Sequence, residues 1–210
     1  MKRNEEMYID VILPEGTQDM LGKQLPSIDS VLTWKDFSER RLHVDGVIDD
    51  SIVSTIGYFI KRYNLEDEGI PVEQRKPIKM FINSPGGDLN ATMAVCDLMD
   101  MSKTPIWTIS ESISYSAGGL LLIAGHKKFA YKSSTYLLHA GSTGAMGSTT
   151  QVFDTIEFQR AYEEQIKEFV LSHTKFTGVE YDKNYRKELY LNAKGMVEHG
   201  VVDEILTEII

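Results

Sequence analysis

Three places in this chain hold residue types that could do chemistry. They are a serine before a run of small residues, a histidine ending an apolar stretch, and a glycine pair after another apolar stretch. Ser116 precedes Ala117, Gly118 and Gly119. A serine at a helix start feels the positive end of the dipole, and nearby N–H groups without intrahelical partners can face a developing oxyanion. This is the logic of a nucleophile elbow, although Ser114 occupies the place of the first glycine in a GxSxG pattern. Ser116 would equally serve as the N-cap of a buried helix.

Asn83-Ser84-Pro85-Gly86-Gly87-Asp88 offers a second set of backbone amides, because two glycines permit positive φ and close approach of a substrate carbonyl. The same residues could form a plain tight turn. Serine needs a base to take its proton, and near neutral pH histidine serves most often. His139 ends the apolar stretch Tyr136-Leu137-Leu138, 23 residues after Ser116, so one helix and a returning strand could bring it back beside the serine. A strand-end histidine can also be purely structural. His126, His173 and His199 lie in polar surroundings and read as surface residues, and His43 alternates within an early strand. HExxH, CxxC, P-loop and EF-hand motifs are absent, so no metal or cofactor is expected.

These residues need elements to position them. Arg41 to Gly46 reads as a strand, and Asp49, Asp50 and Ser51 offer a cap for a helix beginning near Ile52. Ile78–Ile82 reads as a second strand with a helix to Met99 behind it, and Pro105–Ser110 as a third with a helix from Ser116 to about Ala124. Strands alternating with helices imply parallel crossovers in an α/β fold. Phe129–Tyr131 and Tyr136–His139 are further strand candidates, and Gly141, Gly144 and Gly147 mark a flexible or extended segment. From Thr150 to His173 the apolar residues keep helical spacing, predicting a long amphipathic helix suited to burial at an interface or within the subunit. A short helix around Ala193–Val197 and an apolar tail at Gly200–Ile205 close the chain. The first forty residues, broken by Pro14, Gly16, Gly22 and Pro26, read as an arm or loops, leaving residues 41–210 as the main domain.

The chain has 210 residues, enough for a sizeable core without staples. Its formal charge of −9 argues against nucleic-acid binding, since phosphate backbones would be repelled. Cys96, the one cysteine, fits a reducing compartment, and Glu5, Glu6 and Asp10 interrupt any signal-peptide pattern, so a cytoplasmic location is expected. The longest apolar run, Ala117–Gly125, is nine residues against the roughly 20 needed to span a membrane, so no membrane association is expected.

Taken together, Ile82–Gly87, Ser116–Gly119 with Ala124-Gly125, and Leu138-His139 resemble the Clp protease proteolytic subunit (ClpP) family. Supporting matches are Val44–Asp50 and Asn192-Ala193 through Gly200–Ile205, so the likeness covers roughly residues 40–206. The resemblance implies a ClpP/crotonase-like fold of repeated strand–strand–helix units with a protruding helix–strand handle. It implies Ser116 as nucleophile, His139 as general base, and the amides of Gly87 and Ala117 as oxyanion hole. The family's third member is an aspartate just before its late alanine-containing helix. That register presents Glu188 here, with Asp182 as the fallback.

The resemblance also implies a double-ring homo-oligomer of heptameric rings, joined by the long helix and the glycine-rich segment. An AAA+ unfoldase is the expected partner and unfolded polypeptides the expected substrates, with residues 1–40 forming the axial segment. Lys79 and Phe81 stand where the family usually has two aromatics, and Ala140-Gly141 where a proline is common. Two other readings stay open: a crotonase-like acyl-coenzyme A enzyme, and a catalytically silent ring subunit, which the glutamate at position 188 keeps in view.

Overall fold

The computed structural model describes residues 27–141 and 144–210. The chain divides into two compact units, Met1–Glu39 and Arg40–Ile210. In the first, residues 1–26 of the expected arm lie outside the described residues, and the remainder is not a loop. Residues Ile28–Ser38 form helix α1, capped by Ser27, whose hydroxyl accepts from the Ser30 amide at 3.2 Å. Pro26 is the last helix breaker of the segment, and the residues after it are free to coil.

The second unit is built on a mostly parallel seven-stranded sheet in the order β1-β2-β3-β4-β7, with β5 beside the end of β3 and β6 beside β5. The strands are β1 (Arg41–Ile48), β2 (Ile78–Gly87), β3 (Ile106–Tyr115), β4 (Lys127–Ala130), β5 (Thr135–Leu138), β6 (Leu189–Asn192) and β7 (Glu204–Ile205). Helices α2 (Ile56–Glu66), α3 (Leu89–Met101) and α4 (Ala117–Ile123) are the crossovers between successive strands of the β1–β4 series, as strand–helix alternation requires of parallel neighbours. Ile78, Met80 and Ile82 of β2 and Ile106 and Ile109 of β3 are fully buried. Covered on both faces, these strands read as near-continuous apolar runs.

Two strands run further than their apolar segments. β2 continues through Asn83-Ser84-Pro85-Gly86-Gly87 because Val47 and Ile48 of β1 pair with Gly86 and Gly87, after a bulge between Asp45 and Val47. β3 continues to Tyr115 because Ser84 pairs with Ser114 and because residues 113–115 pair with β5. The cap at Asp49 forms, accepting from the Ser51 amide at 2.9 Å, but it opens a short 3₁₀ turn before α2 begins at Ile56.

Helix α5 spans Thr149–His173, with a capping box at Ser148. Only Ile166 and Val170 of this helix are buried, and Phe153 and Phe158 of its first half are 67% and 62% exposed. Helix α6 (Gly178–Tyr185) and strand β6 come next, neither of them anticipated from the sequence, and α7 (Ala193–Glu198) ends at Gly200, whose φ is +69°. Among the described residues, no helix is long and apolar enough to cross a membrane.

One buried ion pair ties the start of β1 to α2. Arg40 donates from both terminal nitrogens to the two carboxylate oxygens of Asp67, each at 2.7 Å, and the Thr104 hydroxyl donates to Asp67 at 2.8 Å. The Arg40 guanidinium, and then the Thr104 hydroxyl, hold the Asp67 carboxyl below its ordinary range. Its contribution is therefore fully present above the unfolded-state value near 3.8 and is lost as pH falls through the lowered folded-state value. Asp67→Ala is expected to lower unfolding free energy by about 2 kcal/mol, because it removes both charge-assisted bonds of a part-buried guanidinium that keeps only its bond to the Lys76 carbonyl and the more distant Glu66. Urea titration at neutral pH checks this, and the gap between variant and wild type is expected to narrow in acid below that range.

Candidate active site

The turn from β3 into α4 carries Ser116 at φ +53°, ψ −123°. Positive φ in a residue with a Cβ costs of order 1–3 kcal/mol and persists only where surroundings over-determine it. Two contacts do so at this turn. The Ser116 amide donates to the Leu137 carbonyl of β5 at 3.0 Å, and all seven residues of α4 are buried. The small residues of α4 have steric reasons. A Cβ on Gly118 would sit 3.1 Å from the Cβ and carbonyl oxygen of Ser84, and one on Gly119 would sit 2.7 Å from the Tyr136 ring.

The β2 glycines close the other side. Gly86, at φ +100°, lies where a Cβ would come within 2.8 Å of both the Ser116 Cβ and the Tyr115 carbonyl oxygen. Gly87 is wedged against β1 so tightly that a Cβ would overlap the Ile48 carbonyl oxygen. The Asp88 amide donates to that oxygen at 2.8 Å. The backbone of residues 86 and 87 is thus pressed between β1 and the serine turn, with side-chain volume excluded.

Ser116, His139, Gly87 and Ala117 line one cleft of about 140 Å³ together with Leu89, Leu120, Leu138, Gly141, Ile166 and Tyr185. Ala117 is the first helical residue, so its N–H has no intrahelical acceptor. The cleft therefore gathers a hydroxyl, an imidazole and a helix-start amide beside the glycine backbone. Among the described residues, no hydrogen bond yet joins the Ser116 hydroxyl to the His139 ring.

The two candidate acids lie elsewhere. Strands β5 and β6 are antiparallel with Leu138 opposite Leu189, so His139 and Glu188 are the next facing positions beyond the last pair. Glu188 does not line the cleft, and its carboxylate accepts from the Tyr190 hydroxyl at 3.1 Å. Asp182 pairs with Lys167 at 2.7 Å and lines a separate polar cavity of about 520 Å³ with Glu163, Glu164 and Arg186.

Of the three histidines read as surface residues, His126 is exposed and His173 and His199 are half-buried, and each also makes a contact with the fold. His126 accepts from the Ile106 amide at 3.0 Å, His173 contacts Asp100 at 3.0 Å, and His199 stacks on Phe176. Each closes a local contact between elements. The residues that sequence reasoning missed are the cleft walls, Leu89, Leu120, Leu138, Ile166 and Tyr185. Burial, and then the charge of Glu163, raise the Tyr185 hydroxyl above its ordinary value. The only advance sign of that residue was the Tyr181/Tyr185 spacing of one helical turn, which places the two rings in a stack at 4.7 Å.

A sequence model of the Clp protease family matches residues 37–209. The chain belongs to the Clp protease family. It is 28% identical over 183 residues to the "ATP-dependent Clp protease proteolytic subunit 2" of Treponema pallidum, covering 85% of this chain and 87% of that protein. It is 27% identical over 179 residues to the protein of the same name from Treponema denticola, covering 84% of this chain and 86% of that one. The mixed α/β architecture with its mostly parallel sheet is that of the ClpP fold. At such identity this is a divergent member, and every candidate site residue falls within the matched span.

The tight packing at Gly86 makes a prediction. Gly86→Ala is expected to cost about 1–3 kcal/mol in urea unfolding, combining backbone strain with overpacking against Ser116. Gly178→Ala, where nothing lies within 4 Å and φ is ordinary, is expected to be neutral or mildly stabilising.

Proposed function

We propose that this Clp protease family member is a proteolytic subunit that hydrolyses peptide bonds by a serine mechanism. The observation that carries the reading is the convergence of Ser116, His139, Gly87 and Ala117 on one cleft. The strained backbone at Ser116 gives it weight, because a plain N-cap serine needs no positive φ.

In this reading the Ser116 Oγ attacks the scissile carbonyl while His139 takes its proton. Negative charge develops on the carbonyl oxygen, and the N–H groups of Gly87 and Ala117 donate to it. His139 then hands the proton to the leaving amine, an acyl-enzyme remains on Ser116, and water activated by His139 releases it. The first proton transfer requires Ser116 and His139 to close to hydrogen-bond distance as substrate fills the cleft, a tightening common on substrate binding. Leu89, Leu120, Leu138 and Ile166 surround the serine with apolar surface, which suits an apolar side chain beside the scissile bond.

Glu188 is the proposed orienting acid. Its position is the one facing His139 across the extended β5/β6 register, and the role requires its carboxylate to leave the Tyr190 hydroxyl for the imidazole. No cofactor or metal enters these steps.

The proposal extends to assembly. Phe153, Ile156 and Phe158 on α5 are apolar surface exposed among the described residues, which supports a handle helix packed between two rings of identical subunits. Seven subunits per ring, a cytoplasmic setting, unfolded polypeptide substrates and an AAA+ unfoldase partner belong to the same reading. The names of the two relatives, which specify ATP-dependent proteases, support it. Unfoldase docking would meet an altered surface here. Lys79 stands 6.0 Å from the Trp107 ring, and Leu206 and Ile210 pack against the Phe81–Ile109–Phe129 cluster.

Incubation with a fluorophosphonate probe and then intact-mass measurement tests the nucleophile. The expected result is one adduct on wild type and none on Ser116→Ala. An unlabelled wild type would instead point to a silent subunit. Glu188→Gln is expected to lower kcat on a fluorogenic peptide by at least about tenfold with KM little changed. Unchanged cleavage would move the orienting role elsewhere, with Asp182 next in line.

A further inference from the structure

Ser84 belongs to the same strand as the glycine pair, yet it does not line the cleft. Its side chain is completely buried. Its hydroxyl donates to the Gly46 carbonyl at 2.6 Å and accepts from the Gly86 amide at 3.0 Å. Its Cβ and carbonyl oxygen form the surface on which Gly118 rests, 3.1 Å from where a Cβ on that residue would be. One small side chain therefore contacts the bulge of β1, the glycine loop of β2 and the second residue of the nucleophile helix.

From these contacts we infer that Ser84 is a positioning residue for the oxyanion-binding amides: its hydroxyl fixes the peptide plane entering Gly86, and through it the direction of the Gly87 N–H. The inference rests on the peptidase reading and deepens it. The coupling runs along the backbone. Pro85 has its φ locked by its ring, so the chain between Ser84 and Gly86 has few ways to move. The Gly86 N–H is held by the Ser84 oxygen. Only the φ and ψ of Gly86, the least restricted residue type, then separate this anchored peptide from the one carrying the Gly87 N–H. On the far side, Gly87 is stopped by Ile48. The loop is pinned at both ends, and at the Gly86 end the pin is the serine hydroxyl.

Gly46 gives the hydroxyl its second role. It sits at φ +77° where the β1/β2 register slips between Asp45 and Val47. The slip turns its carbonyl out of the ladder, and the Ser84 hydroxyl meets it. Alanine at position 84 would keep the Cβ under Gly118 and remove only the hydroxyl. It would leave the buried Gly86 amide without its partner, free to seek another by rotation of the loop, while the Gly46 carbonyl, on an exposed residue, could turn to solvent. A preorganised donor that wanders loses its advantage in the transition state rather than in substrate binding.

The test compares Ser84→Ala with Ser134→Ala in the full chain. Ser134 is also buried and makes a 2.6 Å hydroxyl bond, but to the Ser110 carbonyl of β3 rather than to the glycine loop. Ser84→Ala is expected to lose about tenfold or more in kcat with KM within about twofold, a smaller loss than the roughly 10²–10³ for deleting a donor outright. Affinity for a peptide aldehyde, whose tetrahedral adduct uses the same amides, is expected to weaken by the same factor as kcat. Ser134→Ala is expected to lower the unfolding midpoint while leaving kcat and aldehyde affinity as in wild type. If Ser84→Ala keeps both, or loses no more than Ser134→Ala, the inference is overturned. Should wild type neither label nor cleave, the peptidase reading fails. The positioning role is then decided by amide hydrogen exchange across residues 85–88: faster exchange in Ser84→Ala sustains it, and equal exchange overturns it.

Discussion

The constraint on which the structure depends is the absence of side-chain volume where β1, the β2 glycines and the serine turn meet. Gly86 and Gly87 lie between Ile48 and Ser116 at distances no Cβ could share. That closeness brings backbone amides to within reach of a serine hydroxyl without any bulky residue intervening. It also explains why the pairing of β1 with β2 continues past Pro85. The ladder holds the glycine backbone in place when no side chain can do so.

Strain at one point requires stiffness around it. Ser116 adopts a backbone conformation costly for any residue with a Cβ, and it is kept there by a β5 carbonyl on one side and a wholly buried helix on the other. The core beneath is a sheet covered on both faces, so it yields little. The Arg40–Asp67 pair secures the edge of the same sheet by anchoring β1 to α2, so the strand bearing Ile48 is fixed from its start. Stability and site geometry are thus drawn from the same elements. By contrast, the first half of α5 leaves Phe153 and Phe158 exposed among the described residues.

The strand–helix alternation from Arg41 to Ala130 was legible because buried parallel strands must be apolar almost throughout, and Ile78–Ile82 and Ile106–Ile109 advertise this. Ser116 and His139 were legible as types at strand ends. The course of β2 through Ser84-Pro85-Gly86-Gly87 was not, because proline and glycine mark turns unless a neighbouring strand supplies the ladder. Helix α6 and strand β6 were missed because eight and four residues show too little periodicity to separate from loop. With β6 went the register that sets Glu188 across from His139. Ile166 and Tyr185 come to the cleft from helices well beyond His139, and no local pattern announces a contact made only by tertiary packing.

The central claim is that one hydroxyl, one imidazole and two amide N–H groups act on the same carbonyl. Its most direct test is a cryo-EM or crystal structure of the assembled protein bound to a peptide aldehyde. The account predicts a covalent hemiacetal on the Ser116 Oγ, with its oxygen about 3 Å from the amide nitrogens of Gly87 and Ala117 and His139 within hydrogen-bond distance of the adduct. A hemiacetal oxygen turned to solvent, or an adduct formed with His139 remaining apart from it, would contradict the account.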